Sequence, residues 1–285
     1  MANAKKTSMT IKVGGQKRAS ARRPSSVRRK KQTMATWKYV AIAAMITIGV
    51  IAIIYKPIIE PSFNRFKPCT GHKYYSTCIP EGYSVYGIDI SHHQGDINWK
   101  KLKNGNPDEP PINFVYIKAT EGSSHTDTRF SKNWKAAKRH GFMRGAYHYF
   151  SAKSSGEKQA RMFISKVKLE PGDLPPMVDV EETPQNAATY RQELQKFIKA
   201  IEKHYGVKPI IYTYKKFHEQ YIDNTLFDDY LLWIARYNAN TPGIKDEWIM
   251  WQCTERGRLP GIREMVDINV FNGSTEELEK LRIKK

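Results

Sequence analysis

The run "PPMVDVEE", residues 175–182, places Asp179 and Glu181 two positions apart in a stretch of strand character. Side chains at i and i+2 of a strand face the same side. The two carboxylates therefore point together, while Val178 and Val180 face the other way. Two carboxylates crowded on one apolar wall cannot both ionise freely, and one pKa rises. A carboxyl that keeps its proton at neutral pH is a general acid, and its partner can remain an anion. Glycosidic bond cleavage uses such a pair: a proton for the leaving oxygen, and negative charge near an oxocarbenium-like centre. D-x-E also occurs at solvated strand ends, so the pair alone does not fix an activity.

Two further acids strengthen the reading. Asp89 lies in "YGIDIS" and Asp267 in "MVDINVF", both strand patterns in which a carboxylate is out of place unless it has a task. Tyr147, Tyr149, Tyr212, Tyr214, Trp233 and Trp251 stand in similar runs and are candidates to stack on the apolar C–H faces of sugar rings; core packing is the competing role for each. The histidines support no metal site. His92 and His93 are adjacent in a loop and expected to diverge, without the i, i+4 spacing or the extra ligands that a metal needs. His148, between Tyr147 and Tyr149, is expected on the opposite, helix-facing side. No G-x-S-x-G elbow and no G-x-G-x-x-G loop occurs, so neither serine hydrolysis nor nucleotide use has support.

Eight short runs rich in Val, Ile and Tyr read as strands: "SVYGIDIS", "NFVYIKAT", "RGAYHYF", "PPMVDVE", "PIIYTY", "LLWIARY", "WIMWQCT" and "MVDINVF". Between the early ones lie helical patterns, among them "DTRFSKNWKAAKRHG", with Phe130, Trp134 and Ala137 on one face, and "AATYRQELQKFIKAIEKHYG", stopped at Gly206. Strand and helix alternate about five times before three strands with little helix between them. Alternating βα units imply parallel strands. The expected fold is α/β, a small TIM-like (β/α)5β3 barrel of flattened form over residues 84–285; an open doubly wound sheet is the rival. In a barrel the site lies at the carboxyl ends of the strands, and the first and last strands are neighbours. Asp89, Asp179, Glu181 and Asp267 would then converge.

The formal charge of +19 is unevenly spread. Residues 1–38 carry twelve Lys/Arg and no acid, leaving about +7 for the rest of the chain. Residues 1–36 read as a basic, disordered cytoplasmic tail. From Tyr39 to Tyr55 there is no charge, and an apolar helix of about 17–20 residues spans a bilayer. A transmembrane signal-anchor helix is expected over 37–56, with the amino terminus inside and the barrel outside, periplasmic or extracellular. A cleaved signal peptide is the rival, although no A-x-A-like site follows. The tail contacts anionic lipid or sets topology; nucleic acid is not expected as a partner. Residues 57–83 read as linker and entry segment. Cys69 and Cys78 flank a short polar loop and suggest a disulfide in an oxidising compartment, while Cys253 reads as a buried, inert thiol.

Together "YGIDISHHQGDINW", "FVYIKATEG", "GAYHYF", "MVDVEE", "PIIYTY", "LWIARY" and "WIMWQCT…VDIN" resemble glycoside hydrolase family 25, the Chalaropsis-type lysozymes, over about residues 84–275. The resemblance implies a (β/α)5β3 barrel and cleavage of the β-1,4 bond between N-acetylmuramic acid and N-acetylglucosamine in peptidoglycan, with no metal or other cofactor. Glu181 corresponds to the family's proton donor, Asp179 to the second acid of its D-x-E, and Asp89 and Asp267 to the remaining acidic pair. Substrate assistance by the sugar acetamido group and inversion by an activated water both use Glu181 as acid. Cys253 departs from the aromatic residue more usual after "WQ". The expected partners are glycan strands and, through the helix, the membrane; the protein is expected to be monomeric. A non-catalytic wall-binding barrel and a hydrolase of another N-acetylhexosamine polymer, such as chitin, remain alternatives.

Overall fold

The computed structural model describes residues 69–284 apart from 224 and 225, with backbone only at 69 and 70, together with Tyr39, Val40, Ile42 and Met45. The chain divides between Asn64 and Arg65. On the amino-terminal side the four described residues are helical and exposed. The anticipated span over 37–56 otherwise lies outside the described residues, as does the basic tail; among the described residues no helix is long and apolar enough to cross a membrane.

Beyond that division, eight strands close on themselves. In chain order they are β3 (Val85–Ile90), β4 (Ile112–Glu121), β6 (Met143–Tyr149), β7 (Met177–Asp179), β8 (Ile210–Tyr214), β9 (Leu232–Ala235), β10 (Trp248–Gly257) and β11 (Val266–Phe271). The pairing runs β3-β11-β10-β9-β8-β7-β6-β4, and β3 also pairs with β4, which shuts the barrel. Helices α1 (Trp99–Asn104), α2 (Phe130–Arg139), α3 (Gly156–Lys166) and α4 (Ala187–Tyr205) follow the first four of these strands. Among the described residues after β8 come only a single turn, α5 (Lys215–Phe217), and a π-helical turn, His218–Ile222, before β9; a further helix, α6 (Thr275–Leu281), follows β11. The open-sheet rival is thereby excluded.

Pairing direction changes where the helices stop. From β3 through β10 neighbouring barrel strands are parallel, but β10–β11 and β11–β3 are antiparallel. Eight residues join β10 to β11, too short for the crossover that a parallel pair requires.

Alternation along the strands builds two cores. Val85, Phe114, Tyr116, Met177, Ile210, Trp233, Met250 and Phe271 fill the interior. Ile88, Val115, Ile117, Val178, Val180, Ile211, Ile234 and Ile268 face outward and meet Trp134, Phe163, Leu194, Phe197 and Ile198 of the helices. The interior is tight: at Gly145 a Cβ would stand 2.3 Å from the Tyr116 ring, and at Gly87 2.2 Å from Phe114. Glycine at these positions makes room for two aromatic rings.

The expected boundary at residue 84 does not hold. Antiparallel strands β1 (Cys69–His72) and β2 (Thr77–Pro80) form a hairpin within the anticipated linker. Tyr75 and Ile79 are buried in the outer core, and His72 Nδ1 lies 2.6 Å from Glu109 Oε2. A hairpin this short needs such support to stay folded. Cys78 is disulfide-bonded and Cys253 is a free, buried thiol; the side chain of Cys69 is outside the described ones. A further two-residue strand, β5 (His125–Thr126), pairs with the end of β4.

Replacing Gly145 by Ala forces the Tyr116 ring or strand β6 to move. The expected cost is about 1–3 kcal/mol of folding stability, read as a lower denaturation midpoint in a chemical unfolding series.

Candidate active site

Register brings the acids together. Asp89, near the end of β3, is the direct cross-strand neighbour of Asp267 on β11. Asp179 ends β7, flanked by Tyr149 on β6 and Tyr212 on β8. Glu181 follows two residues later. All four line one cavity of about 340 Å³, with Ser91, His93, Gln94, Lys118, Tyr147, Tyr149, Tyr212, Tyr237, Gln252 and Glu255 among its other walls. A larger cleft of about 720 Å³ is lined by residues entering β9 and β10, and holds none of these acids.

Asp89 is the most heavily supported. Its Oδ2 accepts from Asn269 Nδ2 at 2.7 Å and from Gln252 Nε2 at 3.0 Å. Gln252 is itself fixed, because its Oε1 accepts from Tyr212 (2.9 Å) and Tyr237 (2.7 Å). Trp233 Nε1 donates to Asn269 Oδ1 at 3.0 Å. Burial still raises the Asp89 pKa above the ordinary carboxyl value, against the pull of these bonds. Asp267 is pushed up to about 9, by burial first and then by the neighbouring charges of Asp89 and Glu255. It therefore holds a proton at neutral pH and hydrogen-bonds Asp89.

The second pair faces them. Burial drives Asp179 well above the carboxylate range, and the Glu181 charge adds to it, while Lys118 opposes the rise. Glu181 is also raised, by burial and then by Asp89, with Lys118 again opposing. Two carboxylates this close in such a place titrate as a unit, and both shifts favour the protonated form. Asp179 Oδ1 is buried without a hydrogen-bond partner. Lys118 lies 4.8 Å from the Tyr149 ring centroid and 2.8 Å from Glu121 Oε2, so its cation is held beside the acids.

Tyr147, Tyr149 and Tyr212 line the cavity. Trp233 and Trp251 do not, and their reading as sugar platforms is corrected: both have 0% exposure. Trp233 lies inside the barrel against Tyr116 and Tyr212, at centroid distances of 5.0 and 5.6 Å. Trp251 faces outward because Gln252, the next residue, faces in; its Nε1 donates to Arg236 O at 2.9 Å. The histidine rings do not diverge either. His92 and His93 lie with centroids 4.0 Å apart on a 3-10 turn, His92–Gln94, and His92 Nδ1 is 2.8 Å from Asp127 Oδ2. His148 faces the helices, stacked on Phe197 at 4.7 Å, and burial lowers its pKa to about 4. Among the described residues no group of His, Cys, Asp and Glu is arranged to hold a metal.

Sequence reasoning missed Lys118, Gln252, Asn269 and Tyr237. A signal existed for three. Lys118 is a cation inside an otherwise apolar strand, and Asn269 shares a strand face with Asp267. Tyr237 lies just past β9 but closes the strand run 231–237, where alternation puts it on the face of Trp233 and Ala235.

A sequence model described as Glycosyl hydrolases family 25 matches residues 88–262. An uncharacterized protein, YegX, of Escherichia coli O6:H1 is 38% identical over 219 residues, covering 76% of this chain and 79% of its own. Lysozyme M1 of Streptomyces globisporus is 33% identical over 210 residues, 68% of this chain and 70% of its own. Among solved structures, a bacterial lysozyme from Streptomyces coelicolor superposes with a TM-score of 0.64 at 31% identity, over 71% of this chain and 98% of that one.

Asp267 binds its proton more tightly folded than unfolded. Its contribution to stability is complete below the unfolded carboxyl value of about 4 and is lost as pH rises through about 9. An asparagine at this position would keep a donor for Asp89 and cannot ionise. Melting temperatures of Asp267→Asn are therefore expected to gain on wild type steadily across that window; a constant offset would refute the assignment.

Proposed function

The chain belongs to the family 25 glycosyl hydrolases, and from that membership we infer a peptidoglycan hydrolase that cuts the β-1,4 bond between N-acetylmuramic acid and N-acetylglucosamine. The observation that supports the assignment of roles is the pairing of buried Asp179 with half-buried Glu181, both raised above ordinary carboxyl values and lining one cavity. Glu181, the more accessible of the two, is the general acid. It gives its proton to the glycosidic oxygen as the C1–O bond breaks. Asp179 Oδ1, buried and unpartnered, accepts the N–H of the muramic acetamido group and turns its carbonyl oxygen toward C1. That oxygen closes on C1 as the leaving group departs, giving an oxazoline-type intermediate. Water then attacks C1, Glu181 takes back a proton, and the product keeps its β configuration. Asp89 and Asp267, sharing a proton, line the opposite wall and supply negative field near the developing positive charge.

Removing a general acid costs about 10²–10⁴-fold in rate. Glu181→Gln should lose that much of kcat on purified peptidoglycan with an unchanged melting temperature. The wild-type rate should fall on the alkaline side through an apparent pKa above that of an ordinary glutamate, because the raised Glu181 stays protonated longer. Proton NMR of fresh wild-type products should show the β anomer first. An active Gln variant, or an initial α anomer, would overturn the assigned roles.

We also propose that residues 37–56 anchor the enzyme in a membrane with the basic tail cytoplasmic and the barrel outside. The support is the uncharged run from Tyr39 to Tyr55, the twelve basic residues preceding it, and a disulfide at Cys78 that fits an oxidising compartment. Protease added to spheroplasts should remove the barrel and spare the tail. Loss of the tail with an intact barrel would refute this topology.

A further inference from the structure

Beside the catalytic cavity lies a second cleft of about 580 Å³, within the ~300–1,000 Å³ usual for small-ligand sites. It opens on the same end of the barrel, between the segment following β6 (150–154) and the one following β7 (182–186), against the first turn of α4. The two sites share their dividing wall. Tyr149 and Glu181 line the catalytic cavity, and the residues next to them, Phe150 and Glu182, line the cleft.

Two hydroxyls in this cleft have no hydrogen-bond partner although their oxygens are buried: Tyr190 Oη and Ser154 Oγ. Tyr190 is only 3% exposed, and its ring is held edge-on to Phe150 at 5.4 Å. A buried hydroxyl left unpaired is destabilising, and a ligand acceptor would recover that cost. The charges of the cleft are already matched. Glu182 accepts from the Ala152 amide at 3.0 Å and pairs with Lys153 at 3.1 Å, while Glu193 takes the Gly156 amide at 2.8 Å and Lys196 at 2.6 Å. The cleft thus suits a neutral, acceptor-bearing ligand of mixed polarity, with apolar contact from Phe150, Ala152 and Pro184.

On the reading of the enzyme as a muramidase, such a group comes with the substrate. The muramic sugar at the scissile bond carries a lactyl ether extended by a peptide, whose amide carbonyls are neutral acceptors and whose first residues are small. We propose that this cleft seats the peptide stem of the muramic residue, with Tyr190 Oη and Ser154 Oγ donating to its carbonyls. The cleft would then make the enzyme prefer stem-bearing strands over bare glycan.

The test uses the full chain on two substrates, intact peptidoglycan strands and the same strands stripped of stems by an amidase, with new reducing ends counted. Wild type should show a KM five- to tenfold lower on stem-bearing strands. Tyr190→Phe and Ser154→Ala, made singly and together, should shrink that ratio toward one through the KM of the stem-bearing substrate. Neither variant should lower the melting temperature, since neither hydroxyl has a protein partner to lose. Equal wild-type KM on both substrates would overturn the proposal. So would a Tyr190→Phe variant that loses kcat on both substrates alike, since Tyr190 would then act through Asp179. Cleavage of neither substrate would refute the muramidase reading itself.

Discussion

The constraint from which the rest of the site follows is the burial of Asp89 at the mouth of the barrel. A carboxylate with so little water around it needs donors from the protein. Asn269 and Gln252 provide them, and each is fixed in turn: Asn269 by the Trp233 indole, Gln252 by the hydroxyls of Tyr212 and Tyr237. Five side chains from strands β3, β8, β9, β10 and β11, and Tyr237 just past β9, are thereby tied into one network. A polar network of this kind is favourable only when its members are satisfied, and it then specifies a single arrangement. Trp233 serves that network rather than a sugar, which is why its ring lies beneath the cavity.

Proton inventory follows from the same burial. Five carboxyl groups line one cavity, Glu255 beside the four central acids, with Lys118 as the cation set against Asp179 and Glu181. Like charges this close in a poorly solvated space cannot all be present. Asp267 resolves the conflict on one wall by keeping its proton and bonding Asp89. On the other wall Asp179 and Glu181 share the burden, and Glu181 reaches solvent more readily. The wall with amide donors can thus carry a charge that its neighbour must give up. The acidity needed for protonating a leaving group arises from this unequal solvation, with no dedicated base required to set it.

Much of this arrangement was legible in the sequence because strand alternation is legible. Knowing that Asp179 faces inward places Glu181 beside it, Val178 and Val180 among the helices, and His148 against Phe197, as found. Where the parity of a strand was left open, the reading failed. Trp251 and Gln252 are neighbours of opposite face, and choosing the aromatic as the site residue selected the wrong one. The hairpin of β1 and β2 was hidden for a different reason. Its strands are short and polar, and its stability comes from Tyr75, Ile79 and the His72–Glu109 contact, all tertiary. The reversal of β11 was implicit in a short connection whose length excludes a crossover. Tyr237 lies just past β9, yet it closes the strand run 231–237 on the face of Trp233 and Ala235, and the reading passed over it in favour of Trp233.

The wall between the catalytic cavity and the neighbouring cleft is one strand end thick, and this has a mechanical consequence. Phe150 N donates to the carbonyl of Asp179 at 2.9 Å, and Val180 N donates to the carbonyl of Tyr212. The backbone that aims Asp179 and Glu181 into one space is therefore the backbone that carries Phe150 and Glu182 into the other. Tyr190 feels Asp179 as well as Glu182, since both charges add to burial in holding its hydroxyl above the ordinary phenol value. Interiors this closely packed transmit small displacements instead of absorbing them. A group filling the cleft would press on the residues that orient the acid, so substrate contacts made away from the scissile bond can be spent on alignment at it.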